Sequence, residues 1–134
     1  MILPHDATVA VMDGEKLRLF RNKAAEPHIQ LVALDIPDIE AVNQGSGMRH
    51  RSVAANPDAA RLREDDFAAA VAACLNRLAL EGRIDALYII ADPRSLGELR
   101  RHYHDETRSK LIGEMTRDLT GHAVEVIEAA LAKG

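Results

Sequence analysis

The sequence has no tryptophan, two phenylalanines, two tyrosines and a single cysteine among its 134 residues. With aromatics at 3%, the core falls to Leu, Ile, Val, Ala and Met, and the scarcity argues against a nucleic-acid surface built from exposed stacking rings. One cysteine excludes an intrachain disulfide. Cys74 falls on the apolar stripe of an expected helix, where a small buried hydrophobe is the default. No run reaches the roughly eighteen continuous apolar residues that a bilayer span needs. The opening Met1–Asp6 also lacks the basic region and apolar run of a signal peptide. There is no excess of positive charge: 17 Lys and Arg against 21 Asp and Glu give a net charge of −4. That argues against capture of DNA or RNA by the field of the whole molecule, though a local basic patch stays open. These absences point to the cytoplasm and away from a membrane.

What is present is an ordinary globular composition, 47% hydrophobic and 28% charged, long enough to bury the core of one domain over 1–134. Ala7–Met12 and Glu15–Arg21 are apolar or alternating runs separated by Asp13-Gly14, the signal for a two-residue type I′ hairpin. Ile29–Ile36 reads as a third strand. Residues 38–63 hold Gly45, Gly47, Pro57 and many polar residues without a sustained apolar period, which predicts a long, mobile loop. Phe67, Val71, Cys74, Leu75 and Leu78 then share one helical face. Glu64, Asp65 and Asp66 suit its start and Gly82 its end.

Ile84–Ala91 is almost continuously apolar, as a central strand covered on both faces should be. Ser95-Leu96-Gly97-Glu98 fits a capping box, with Ser95 as N-cap and Glu98 three residues on. The helix after it carries Leu96, Leu99 and Tyr103, and further helical turns are expected over Asp105–Ile112. Met115–Leu119 is the candidate last strand, and Thr120 the candidate cap of a final helix bearing Val124, Ile127 and Leu131. The order β-β-β-α-β-α-β-α predicts an α/β domain. Right-handed crossovers would make the first, fourth and fifth strands parallel, with helices on the sheet faces.

Leu87-Tyr88-Ile89-Ile90-Ala91-Asp92-Pro93-Arg94-Ser95-Leu96-Gly97-Glu98-Leu99-Arg100 resembles the signature of the bacterial host attachment protein family. Arg117-Asp118-Leu119-Thr120 resembles that family's Lys-Asp-Leu-Thr segment, and Val9–Phe20 fits its opening hairpin. Asp92 and Ser95 depart from the pattern, which usually has Pro and an apolar residue there. The resemblance implies a role in attachment of bacteria to host cells. It also implies a fold similar to the middle domain of archaeo-eukaryotic release factors, a three-layer RNase H-like mixed sheet of about five strands. In those factors a Gly-Gly-Gln loop ahead of a long helix enters the peptidyl-transfer centre. The corresponding stretch here is Asn43-Gln44-Gly45-Ser46-Gly47-Met48-Arg49-His50-Arg51, which has glycines and basic residues but no Gly-Gly-Gln.

The first candidate site is the turn of Arg94, Ser95 and Gly97, with Arg100 nearby, at the end of a central strand and the start of a helix. Backbone N–H groups and a guanidinium there favour an anion or an acidic partner. The competing account is structural: Ser95 caps, Gly97 allows close packing, and Arg94 pairs with a carboxylate. The second candidate is the basic loop of Gly45, Gly47, Arg49, His50 and Arg51, suited to RNA or the ribosome, with a solvated loop as its plainer account. Asp13 and Asp92, at the ends of neighbouring parallel strands, are the pair that could serve a metal-dependent nuclease or phosphoesterase. No third acidic ligand is evident, so no metal and no cofactor is expected.

His102 and His104 point to different helix faces, and no zinc-protease, nucleophile-elbow, Walker or dinucleotide motif occurs. Three functions remain: a non-enzymatic host-attachment-like domain with an unknown protein or small anionic partner, a translation-associated RNA-binding module, and the metal-dependent enzyme. The oligomeric state is open, a homodimer included.

Overall fold

The computed structural model describes residues 2–35 and 57–134, with the backbone alone over 57–60. Strands β1 (Thr8–Met12), β2 (Leu17–Asn22), β3 (Leu31–Leu34), β4 (Leu87–Ala91) and β5 (Leu111–Thr116) form one sheet in the order β3-β2-β1-β4-β5. β1, β4 and β5 run parallel, while β2 and β3 run antiparallel to their neighbours. The four helices among the described residues are α1 (Pro57–Leu80), α2 (Pro93–His102), α3 (Asp105–Lys110) and α4 (Val124–Lys133). This is the α/β mixed sheet expected, with the strand directions that right-handed crossovers require.

The layers follow from the period of two along each strand. Ala10, Met12, Leu19, Leu87 and Ile89 turn to one face and pack with Phe67, Val71, Leu75 and Leu99 of α1 and α2. Val9, Val11, Phe20, Tyr88 and Ile90 turn to the other, against Ile127 and Leu131 of α4 and Leu119. Every residue of β1 and of β4 is buried, as expected of central strands covered on both sides. Cys74 is 3% exposed within the first cluster, so it is the core residue its position suggests. No helix among the described residues is long and apolar enough to cross a membrane.

Several boundaries differ from expectation for identifiable reasons. The hairpin between β1 and β2 forms, but neither Asp13 nor Gly14 has positive φ, so the turn is not type I′. Instead the Asp13 carboxylate accepts from the Glu15 and Lys16 amides at 2.7 and 2.6 Å, an Asx turn. Gly14 answers to a different need, because a Cβ there would lie 2.7 Å from Glu64 Cγ on α1. α1 begins at Pro57, well before the predicted end of the loop at 63, and the loop's other residues, 38–56, lie outside those described. Proline suits the first helical turn, and Arg61 and Leu62 face solvent, Leu62 being 62% exposed. They carry no apolar period to read. Glu64, Asp65 and Asp66 therefore lie within the helix, not at its start. Gly82, at φ +74°, does end it, with the Arg83 amide donating back to the Leu78 carbonyl at 2.9 Å.

β3 is shorter than predicted, and β4 starts at Leu87, with Ile84 buried just ahead of it. β5 comes earlier than Met115–Leu119, and helix does not extend to Ile112. An edge strand containing Gly113 and Glu114 has neither a continuous apolar run nor clean alternation. Thr120 does not cap the last helix, whose N-cap is Ala123; its hydroxyl is used elsewhere.

Candidate functional site

Met12, Ala91 and Thr116, the last residues of β1, β4 and β5, are side by side in register. The chain therefore leaves the sheet at Asp13, Asp92 and Arg117 along one crevice, the usual ligand position in a parallel α/β sheet. The Arg117 amide donates to the Ala91 carbonyl at 3.0 Å, which fixes the third exit against the second.

Asp13 is committed on both oxygens. One accepts the two turn amides, and the other accepts the Thr120 hydroxyl at 2.7 Å. Partial burial pushes the Asp13 carboxyl up. The hydrogen bonds from Thr120, Glu15 and Lys16, with the Lys16 charge, outweigh that and leave its pKa below the usual 3.8. The Thr120 loop is also held by Arg18, whose Nη1 donates to the Thr120 and His122 carbonyls at 3.1 and 2.6 Å.

Asp92, not Ser95, is the N-cap of α2. Its Oδ2 accepts from the Ser95 amide at 3.1 Å. Pro93 decides between the two caps: its fixed φ suits the first helical position, and it lacks the N–H that would otherwise need a partner there. Ser95 is thus inside the helix and 3% exposed. Glu98 does not reach back to the helix start; it pairs forward with Arg101 at 3.2 Å and His102 at 3.6 Å. The second Asp92 oxygen, Oδ1, is buried without a hydrogen-bond partner.

Arg94 stands at the rim with its guanidinium on Asp65 of α1, Nε to Oδ1 at 3.1 Å and Nη2 to Oδ2 at 2.9 Å. The structural account of this residue, pairing with a carboxylate, describes its present state. Gly97 does not serve close packing, because a Cβ there would meet nothing within 4 Å. Arg100 is not at the turn. It lies along β5, with Nε donating to Glu114 at 3.1 Å. The structure thus brings Arg94, Ser95, Asp13 and Asp92 to one edge and separates Arg100 from them. Gly45, Gly47, Arg49, His50 and Arg51 lie outside the described residues.

Among the described residues, no group of three or more His, Cys, Asp or Glu is placed to hold a metal ion. The Asp13–Asp92 pair has one member saturated by hydrogen bonds and the other engaged in capping. Chemically the crevice offers an anchored carboxylate, the unsatisfied Asp92 oxygen and, on its rim, the Arg94 guanidinium paired with Asp65. Such a set can bind and orient a polar partner. Sequence reasoning missed Asp65 and Arg18 here, and neither forms a local pattern with its partner.

No curated protein matches the chain. A family model does match, over residues 6–131, which takes in all five strands and, of the helices among the described residues, all but the last two residues of α4. The match sustains the release-factor side of the resemblance and gives no support to a host-attachment role. The chain belongs to bacterial archaeo-eukaryotic release factor family 12.

Proposed function

We propose that the protein is a translation-associated module that contacts ribosomal RNA without hydrolysing peptidyl-tRNA. The family match over residues 6–131 carries this reading. A second feature agrees with it. The Asn43–Arg51 segment precedes the 24-residue helix α1, as the Gly-Gly-Gln loop of release factors precedes a long helix. The Gly-Gly-Gln triplet is missing from that segment, so the hydrolytic step has no corresponding residues. A host-attachment role rests only on the likeness of Leu87–Arg100, Arg117–Thr120 and Val9–Phe20 to that family and is not proposed.

With a net charge of −4, attraction to RNA must be local, and Arg49, His50 and Arg51 are the residues suited to it. Contacts of this kind weaken steeply with salt, by release of counterions from the phosphates. The test is co-sedimentation with ribosomes at about 50 and 200 mM salt, beside a variant carrying Arg49→Glu and Arg51→Glu. Binding at low salt that falls at high salt and is lost in the variant is expected. Absence of binding at low salt would overturn the proposal, and binding that survives the double change would remove the loop from it.

A further inference from the structure

A second site lies at the opposite end of the sheet, where β1 and β4 begin. A cavity of about 340 Å³ opens there beside the end of α1. Leu19 and Ile84 contribute apolar surface, and Thr8, Arg21, Asp35 and Asp85 contribute polar groups. Thr8 and Arg21 are directly opposed across the β1–β2 pair, so their side chains share one face of the sheet.

Two of the polar groups on this wall are buried without hydrogen-bond partners. Thr8 is 1% exposed, yet its Oγ1 has no hydrogen-bond partner. Arg21 Nε is buried and also without one. The Arg21 guanidinium donates through Nη2 to the Arg83 carbonyl at 2.8 Å and forms no ion pair among the described residues. Native structures rarely leave such donors unsatisfied, because burying one without a partner costs about 1–3 kcal/mol. Asp35 and Asp85, on the same cavity, likewise form no ion pair among the described residues. At the rim, Gly82 and Arg83 follow the carbonyl end of α1, which favours positive charge.

Unmet donors beside unpaired carboxylates call for a ligand with both an anionic and a cationic group. The volume is near the lower bound of small-molecule pockets, about 300 Å³, which suits an amino acid better than a nucleotide. We propose that this cavity binds a small zwitterion of the amino-acid class, with its carboxylate received by Arg21 and Thr8 and its ammonium by Asp35 and Asp85. Neither Thr8 Oγ1 nor Arg21 Nε meets water at the resting width of the cavity. Seating the carboxylate therefore involves a small shift of the Arg21 side chain, which is held at its far end by the Arg83 carbonyl. This site is separate from the crevice at Asp13 and Asp92 and independent of any contact with ribosomes.

The test is thermal melting of the full chain with each of the twenty standard L-amino acids at millimolar concentration. Sodium acetate, sodium phosphate and ethylammonium chloride serve as single-charge controls. At least one amino acid should raise the melting temperature in a concentration-dependent way. Its N-acetyl and its amide derivatives, each lacking one charge, should not. Asp85→Asn, at an exposed position, should weaken the effect at least tenfold while leaving the ligand-free melting temperature unchanged, and Arg21→Met should abolish it. The proposal is overturned if no amino acid shifts the melting curve, the outcome expected of a site that holds only water. An equal shift from acetate or phosphate overturns it too, as does a shift that persists in Asp85→Asn.

Discussion

Arg94, in the first turn of α2, holds Asp65 in the middle of α1 through two parallel hydrogen bonds, at 3.1 and 2.9 Å. The pair ties the two helices together over the carboxyl ends of the parallel strands. It also occupies the guanidinium that would otherwise be the natural anion receptor of the crevice. Any acidic partner engaging Arg94 must therefore compete with a bidentate carboxylate already in place.

Energetically the pair should be modest. The Arg94 and Asp65 side chains are 45% and 25% exposed, so solvent screens the attraction. Arg94→Ala should lower unfolding stability by no more than about 1 kcal/mol. A double-mutant cycle with Asp65→Ala, read by denaturant unfolding, should give a coupling of the same small size. A coupling several-fold larger would show that the pair is a principal fastening of α1.

Asn22 is a different case. It is fully buried at the end of β2. Its Nδ2 donates to the Leu3 and Pro4 carbonyls at 3.1 and 3.2 Å, and its Oδ1 accepts from the Ala24 and Gln30 amides at 3.1 and 2.9 Å. One side chain thus satisfies backbone groups from the N-terminal segment and from the β2–β3 connection. Asn22→Ala leaves several of them buried without partners, and a loss of about 3 kcal/mol is expected from one to two such groups. Chemical denaturation checks the size. Hydrogen exchange at Ala24 and Gln30 should accelerate first.

The Asp13–Thr120 hydrogen bond sets a pH dependence. The Asp13 pKa is lowered in the folded state, so the unfolded chain binds its proton more readily. The resulting stability is fully present above the ordinary carboxylate pKa of 3.8. It is lost as pH falls through the lowered folded value. Thr120→Val removes one of the interactions that lower the pKa. Its Asp13 carboxyl, followed by carbon-13 NMR, should titrate at higher pH than in the parent. An unchanged titration would mean that the two turn amides alone hold the carboxylate ionised.

How much of this was readable in the chain depends on where each side chain faces. β1 and β4 were plain because burial on both faces demands an uninterrupted apolar run, and Ile89 and Ile90 have no other use. The first turns of α1 were hidden because Arg61 and Leu62 face solvent and bear no periodic apolar signal. The cap of α2 is misread from the capping-box pattern, which points to Ser95; Asp92, three residues earlier, is an equally good cap residue, and Pro93 after it is what decides for Asp92. The crevice was only half visible. Asp13 and Asp92 could be placed together from strand order alone. The Thr120 hydroxyl that secures Asp13 is 107 residues away, and nothing local connects the two.

Two glycines make opposite predictions. Gly97 sits within α2, where an added Cβ would meet nothing within 4 Å. Gly113 sits in β5 beside β4, where an added Cβ would lie 2.6 Å from Cε2 of the buried Tyr88 ring. Gly97→Ala should stabilise the protein by about 0.5–1 kcal/mol, because alanine is the better helix former and loses less backbone freedom on folding. Gly113→Ala should destabilise it by about 1–3 kcal/mol through overpacking. If the ring is the cause, adding Tyr88→Leu should recover part of that loss, since the shorter side chain vacates the contact. Denaturation midpoints of the three single variants and of the Tyr88→Leu/Gly113→Ala double variant decide the matter. A double variant no more stable than additivity predicts would place the strain in the β5 backbone and not at Tyr88.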